Sequence, residues 1–209
     1  MAETLDAARF VDALRRALPG VLAEAGVSTD MPTVYVARDH LVDACRWLRD
    51  DPDMQFAFLA DVTAVDYLPV EPRYEVVYHL ASLGEAYAGP GGAAPARRLR
   101  LKVPVPGDDP RVPTVSDVYP TAGWTEREVF DLFGIAFDGH PDLRRILMPE
   151  DWEGYPLRKD YAVQIKKATT SWQPIQLSVE EFAENVRARR EGARRAQAPP
   201  AGPEPAGRE

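Results

Sequence analysis

The chain has 209 residues, 45% of them hydrophobic and 28% charged, a balance that predicts one globular domain with appendages and a core of its own. Its one cysteine, Cys45, excludes an internal disulfide framework and any Cys-rich zinc or iron–sulfur site, and fits a reducing compartment. With 33 acidic against 25 basic residues the net charge is −8, which argues against nucleic acid as the main partner.

The charge is uneven. Residues 187–209 carry a net +3, leaving −11 on the rest, so the expected picture is an acidic body with a basic tail. The first ten residues contain Glu3 and Asp6 and no apolar run, which predicts no secretory signal. No window approaches the ~20 apolar residues of a membrane-spanning helix. The expectation is a soluble protein on the cytoplasmic side, one that works at a membrane only by docking onto something embedded there.

In chain order, Thr4 is positioned to cap a helix whose Phe10, Val11, Leu14, Ala17 and Leu18 share a face, and Pro19-Gly20 ends it. A weak strand is expected over residues 26–29 and a stronger one over 33–37 (TVYVA). Asp39 then caps a second helix with Leu41, Ala44, Cys45 and Leu48 on one side, which makes Cys45 a core residue, and Pro52 stops it. Three strands follow, over 55–65, 73–83 and 97–105. Tyr74, Val76, Tyr78 and Leu80 share one parity, as do Leu99, Leu101, Val103 and Val105, so each strand should have one buried and one wet face. His79 falls on the opposite parity as a surface or cross-strand residue, without companion ligands for a metal.

Residues 84–96 (GEAYAGPGGAAPA) read as a hairpin loop, and their glycines lack the Lys-Ser/Thr or helix start of a phosphate cradle. The order α-β-β-α-β-β-β breaks the strict alternation of doubly wound nucleotide folds. It predicts an α+β fold, a two-layer sandwich of helices on a mixed sheet, followed by an extended C-terminal arm. Pro104, Pro106, Pro110, Pro113 and Pro120 make the next segment a turn-rich connection.

Residues 124–161 (WTEREVFDLFGIAFDGHPDLRRILMPEDWEGYPLRKDY) differ in composition. Seven of these 38 residues are aromatic against 12 of the other 171, and Trp, Tyr and Arg are the residues that anchor interfaces, so the stretch reads as a docking surface. Thr125-x-x-Glu128 has the spacing of a capping box, Val129, Leu132 and Phe133 form an apolar stripe, and Gly134 can end the helix left-handed. Asp138-Gly139 is a turn signal, and His140-Pro141, Met148-Pro149 and Tyr155-Pro156 disfavour helix, predicting an extended arm with short turns, poor in core of its own. Nine carboxylates lie here and two of them could form a general acid/base pair, though spacing selects none. His140 reads as a hydrogen-bonded turn histidine before a base or metal ligand, and no nucleophile motif appears.

The run Glu126-Arg127-Glu128, Asp131-Leu132-Phe133-Gly134-Ile135, Gly139-His140-Pro141-Asp142-Leu143-Arg144-Arg145-Ile146-Leu147, Pro149, Asp151-Trp152, Gly154 and Pro156-Leu157-Arg158-Lys159-Asp160-Tyr161 closely resembles the signature of the C-subunit family of proton-pumping NADH:quinone oxidoreductase, respiratory complex I. The resemblance extends upstream through Leu59-Ala60-Asp61, Asp66-Tyr67, residues 74–78 and residues 109–115, and covers about 4–161. A proline usual in such proteins after the position of Tyr161 is Ala162 here.

The resemblance implies a non-catalytic structural subunit of the peripheral arm, peripheral to the cell membrane on its cytoplasmic side, and attached indirectly through the complex. Its implied partners are chiefly the D-subunit, near the quinone cavity, and adjoining iron–sulfur subunits. No cofactor or metal is implied in this chain, while the assembly uses NADH, FMN, iron–sulfur clusters and quinone to move electrons and pump protons. The implied partner-binding residues are Glu126, Arg127, Glu128, Asp131, His140, Arg144, Arg145, Trp152, Tyr155, Arg158 and Lys159. Arg144, Arg145, Arg158 and Lys159 serve as charged contacts, and Trp152 and Tyr155 as anchors.

The expected organisation is a core domain over 1–105, connection, helix and docking arm over 106–161, an extension over 162–196 and a disordered tail over 197–209. In the extension, Ser178-x-x-Glu181 opens a helix with Val179, Phe182, Ala183 and Val186 on one face. The equivalent subunit of a membrane-bound energy-converting hydrogenase, or of a ferredoxin-dependent relative of complex I, is the alternative. A free-standing hydrolase using the carboxylates around Glu126 to Asp160 is the alternative from another class.

Overall fold

The computed structural model describes residues 2–84 and 96–162, with side-chain surroundings from Ala7 onward, and beyond them only Glu184 and Arg187, each helical. The chain divides into two compact units, 1–162 and 163–209. The expected loop over 85–95, the Ser178 capping box with its apolar face, and the tail lie outside the described residues.

Helix α1 (Ala2–Ala17) starts ahead of Thr4 and buries Phe10, Val11 and Leu14, with Ala7 and Ala13 completing the face and Ala17 left exposed. Strand β1 (Ala23–Gly26) precedes the expected 26–29 segment, because Val21 and Ala23 face the core whereas Val27 stands in solvent. It pairs antiparallel with β2 (Thr33–Val36), and at Gly26 a Cβ would press on the Tyr35 ring at 2.9 Å, so glycine permits the close approach. A 3-10 turn, Arg38–His40, leads into α2 (Leu41–Asp50); Asp39 pairs with Arg38 and makes no capping bond. Leu41, Ala44, Cys45 and Leu48 are fully buried as their spacing predicts, and burial raises the Cys45 thiol pKa far above its ordinary value.

Strand β3 (Phe58–Asp66) begins three residues later than predicted. Gln55 turns left-handed at φ 49°, and Phe56 enters the core with its N–H on the Leu48 carbonyl, which takes residues 55–57 out of the sheet. Strands β4 (Tyr74–Ser82) and β5 (Arg97–Val105) complete a five-stranded mixed sheet ordered β1-β2-β5-β4-β3, in which only β2 and β5 run parallel. Leu99, Leu101, Val103 and Val105 are buried with the half-buried Arg100, Lys102 and Pro104 between them, as alternation requires. On β4 the expected wet face is absent: Glu75 and Val77 are buried as well, because Lys102 lies on the Glu75 carboxylate at 2.7 Å and Tyr67 donates to it from the side. His79 sits in cross-strand register between Asp61 and Arg100.

The core continues past residue 105. Val112, Val115, Val118 and Tyr119 from the proline-rich segment join the same cluster, followed by Ala122, Val129, Phe133, Ile135 and Phe137. The buried Tyr119 hydroxyl donates to the Phe56 carbonyl at 2.9 Å. Short strands β6 (Arg111–Pro113) and β7 (Ala136–Asp138) pair in parallel around helix α3 (Ala122–Phe133). That helix starts three residues before the predicted capping box: Thr125 turns its hydroxyl back to the Thr121 carbonyl, Glu128 is exposed, and Glu126 is the buried acid. Gly134 ends the helix at φ 71°, as predicted. The α+β architecture expected from the element order is the one observed.

Candidate docking surface

Helix α3 carries the start of the aromatic- and arginine-rich stretch, and the extended arm expected directly after Gly134 begins only at residue 139, because Ile135 and Phe137 are buried in the core and Ala136–Asp138 pair as β7; residues 139–161 then follow an irregular, turn-rich course. Two buried carboxylates of the body hold this strap, an arrangement that no local pattern announces. Asp131, fully buried on α3, accepts the successive N–H groups of Ile146 (3.0 Å), Leu147 (2.7 Å) and Met148 (2.8 Å) on one oxygen and the Arg145 guanidinium (2.7 Å) on the other. Three consecutive amides converging on an anion form a backbone nest. Burial by itself would raise the Asp131 pKa, but the Met148 N–H, the Arg145 guanidinium and the other two amides bring it below the ordinary carboxylate value. Arg145 also donates to the Gly154 carbonyl at 3.0 Å and lies over the Tyr155 ring.

The second anchor is Asp66 at the end of β3, which accepts the N–H groups of Leu68 and Lys159 (2.9 Å each) and two bonds from Arg73. Burial again opposes ionisation, and Arg73 with the two amides outweighs it, leaving the carboxyl far below its ordinary value. Arg73 reaches onward to Asp160 at 2.8 Å. Between the anchors, Arg158 caps the C-terminus of α3 through the Phe133 carbonyl (2.5 Å) and the Gly134 carbonyl (3.2 Å), and it stacks on Tyr155. A Cβ on Gly134 would collide with Tyr155 and Arg158, so its glycine serves this contact as well as the left-handed turn.

Glu126 is fully buried and hydrogen-bonded, accepting the Val115 N–H at 2.8 Å and meeting the Thr114 hydroxyl at 2.5 Å. Burial raises its pKa to about 7 against the lowering effect of those two donors. His140 lies 3.9 Å away, its Nδ1 accepting the Asp142 N–H; the ring proton therefore sits on Nε2, which donates to the Gly123 carbonyl. This is the hydrogen-bonded turn histidine expected from the His140-Pro141 pair. The buried carboxylates of the stretch thus bind this chain's own donors. Among the described residues no three His, Cys, Asp or Glu side chains gather as metal ligands do.

The eleven residues singled out from sequence therefore divide. Glu126, Asp131 and His140 turn inward; Arg127, Arg145, Tyr155 and Arg158 hold the strap; Trp152 is half-buried; and Glu128, Arg144 and Lys159 face solvent. The Arg144 side chain is 72% exposed and, among the described residues, pairs with Asp142. Outward apolar residues absent from that set complete the surface: Trp124 (63% exposed), Leu147 (60%), Leu157 (52%) and Ile146 (37%). Arg127 joins them, lying over the Trp124 ring while it donates to the carbonyls of Arg144 and Arg145. Alternation rules cannot flag such residues, because the strap has no period.

Residues 34–167 match the family described as respiratory-chain NADH dehydrogenase, 30 Kd subunit, a span running from β2 through the whole strap. The chain belongs to the 30 Kd subunit family of the respiratory-chain NADH dehydrogenase. Among relatives, it is 49% identical over 157 residues to the C-subunit of the NADH-quinone oxidoreductase of Roseiflexus sp., covering 75% of this chain and 84% of that one. To the C-subunit of Geobacter sulfurreducens it is 51% identical over 133 residues, 63% of this chain and 75% of that one. To that of Saccharopolyspora erythraea it is 54% identical over 130 residues, 62% of this chain and 48% of that one. A solved trypsin-resistant fragment (1-134) of Nqo5 is similar with a TM-score of 0.50 and 35% identity, covering 65% of this chain and 98% of the fragment. Both buried anchors of the strap, Asp66 and Asp131, lie within the family's matched span.

Proposed function

We propose that this chain acts as the C-subunit of NADH-quinone oxidoreductase: a structural part of the peripheral arm, with no catalytic centre or cofactor of its own. It docks onto the D-subunit and adjoining iron–sulfur subunits near the quinone cavity. The chain is held at the cytoplasmic side of the cell membrane through the complex, and the assembly passes electrons from NADH through FMN and iron–sulfur clusters to quinone while pumping protons. One observation carries the docking role. Trp124 on α3, with the half-buried Arg127 lying over its ring, and Ile146, Leu147 and Leu157 on the strap are exposed, and two buried carboxylates bind the strap to the body. Pre-ordered apolar anchors lose little entropy on binding, which is what a permanent interface selects.

The structure separates the two adjacent arginines. Trp124→Ala with Leu147→Ala should cost about 2 kcal/mol or more of docking energy and strip the subunit from membranes, as should Arg144→Glu in part, while unfolding midpoints of the isolated chain stay near wild type. Arg145→Ala should instead lower the midpoint, since its partner Asp131 is buried. Immunoblots of membranes and urea unfolding are read together. Full assembly and turnover in the Trp124/Leu147 double variant would remove the docking assignment, and stoichiometric flavin or iron in the purified chain would remove the cofactor-free one.

A further inference from the structure

Away from the strap, α1 and the start of β5 frame a groove of about 710 Å³ that carries four arginines, Arg9, Arg16, Arg97 and Arg98, and no acidic side chain among its described lining residues. Elsewhere among the described residues, arginines that lack a carboxylate stand singly and donate to backbone carbonyls, as Arg15, Arg127 and Arg158 do. Arg38, Arg46, Arg49, Arg73, Arg100 and Arg111 are each paired with an aspartate, whereas none of the four groove arginines has a carboxylate partner among the described residues. Arg97 is held in place: its guanidinium donates to the carbonyls of Asp53 and Met54, lies 5.8 Å from the Phe10 ring and 5.5 Å from the Phe56 ring, and keeps a buried Nε without a partner. Arg9 and Arg16 are two helical turns apart on α1 and so stand on one side of it. Between the charges the lining is apolar, from Phe10, Ala13, Pro32 and Met54.

We propose that this groove is a second docking site, which takes an acidic peptide segment of a partner protein with an apolar side chain seated among Phe10, Pro32 and Met54. Four arginines without carboxylates in a chain of net charge −8 mark a place where negative charge is supplied from outside. A preformed guanidinium with spare donors suits carboxylates, which it can bind bidentately. An anionic bilayer fits less well, because the apolar lining is recessed and the acidic remainder of the body is repelled by such a surface. The site is separate from the strap surface, so its failure would leave the family role untouched.

The test is fluorescence anisotropy of a labelled acidic peptide with one central phenylalanine, titrated with the full chain at low and at physiological salt. Binding should weaken with salt and fall at least tenfold in Arg9→Glu/Arg98→Glu, with circular dichroism unchanged because both side chains are exposed. It should also fall when the peptide's acids are replaced by their amides. An equal loss from reversing Arg46 and Arg111, outside the groove, would reduce the effect to net charge and overturn the proposal. Binding to phosphatidylglycerol vesicles that the peptide does not displace would overturn it in favour of a membrane. A tenfold gain on deleting residues 86–94 would overturn it in favour of the chain's own loop as occupant.

Discussion

Asp131→Ala is expected to lower the stability of the 1–162 unit by about 3–5 kcal/mol and to free the strap from helix α3. The carboxylate is fully buried and satisfies four donors, of which three are consecutive backbone amides with no other partner among the described residues. Removing it leaves the Arg145 charge and those amides facing a vacated site, so the strap gains by peeling into water. Urea unfolding should show the loss, and hydrogen exchange at Ile146, Leu147 and Met148 should accelerate well before the amides of β4 and β5 do. A loss below about 1 kcal/mol with those three amides still protected would mean that the strap is held elsewhere. Membranes carrying this variant should also lose the subunit, since the docking side chains would no longer be presented in one geometry.

Glu126 produces the second large effect, and its sign is opposite to that of Asp66 and Asp131. Its folded pKa is raised from 4.5 to about 7, so between those values the folded state holds a proton that the unfolded chain has released. Its stabilising contribution is therefore complete below pH 4.5 and is lost as pH rises through about 7, a change of about 3 kcal/mol. Glu126→Gln keeps a neutral side chain of the same shape that can accept from Val115 and donate to Thr114. The variant should match wild type at pH 5, exceed it at pH 8, and be flat between. Asp66 and Asp131 have lowered pKa values, so their contribution is present above the ordinary aspartate value of 3.8 and is lost only on acidification below it. Urea midpoints at pH 3, 5, 6, 7 and 8 for both proteins test this. Parallel curves between pH 5 and 8 would show that Glu126 does not titrate there.

The elements whose side chains alternate or recur were legible from the sequence. The α2 face of Leu41, Ala44, Cys45 and Leu48 and the β5 parity of Leu99, Leu101, Val103 and Val105 stand as read, because local periodicity and core burial agree there. The family signature was legible for a different reason, being a string of fixed residue types whose register needs no folding to be seen. Where a boundary depends on contacts distant in the chain, the sequence misled. Strand β3 starts late because Phe56 is drawn under Leu48, β1 shifts because Val21 and Ala23 are taken into the core while Val27 is left in solvent, and α3 begins at Ala122 because its N-terminal turn continues from Tyr119 in the core.

Tertiary structure alone decided the roles within the signature. Arg144 and Arg145 are chemically identical neighbours, yet one pairs in solvent with Asp142 and the other is fixed by a buried aspartate fourteen residues upstream. Glu126 and Glu128 differ by two positions on a helix of 3.6 residues per turn, and that rotation alone buries the first and exposes the second. Composition and motif determine that a stretch is rich in interface chemistry. Which of its charges hold the chain to itself and which remain for a partner depends on where the backbone amides of the strap converge, a long-range geometry that no local pattern encodes.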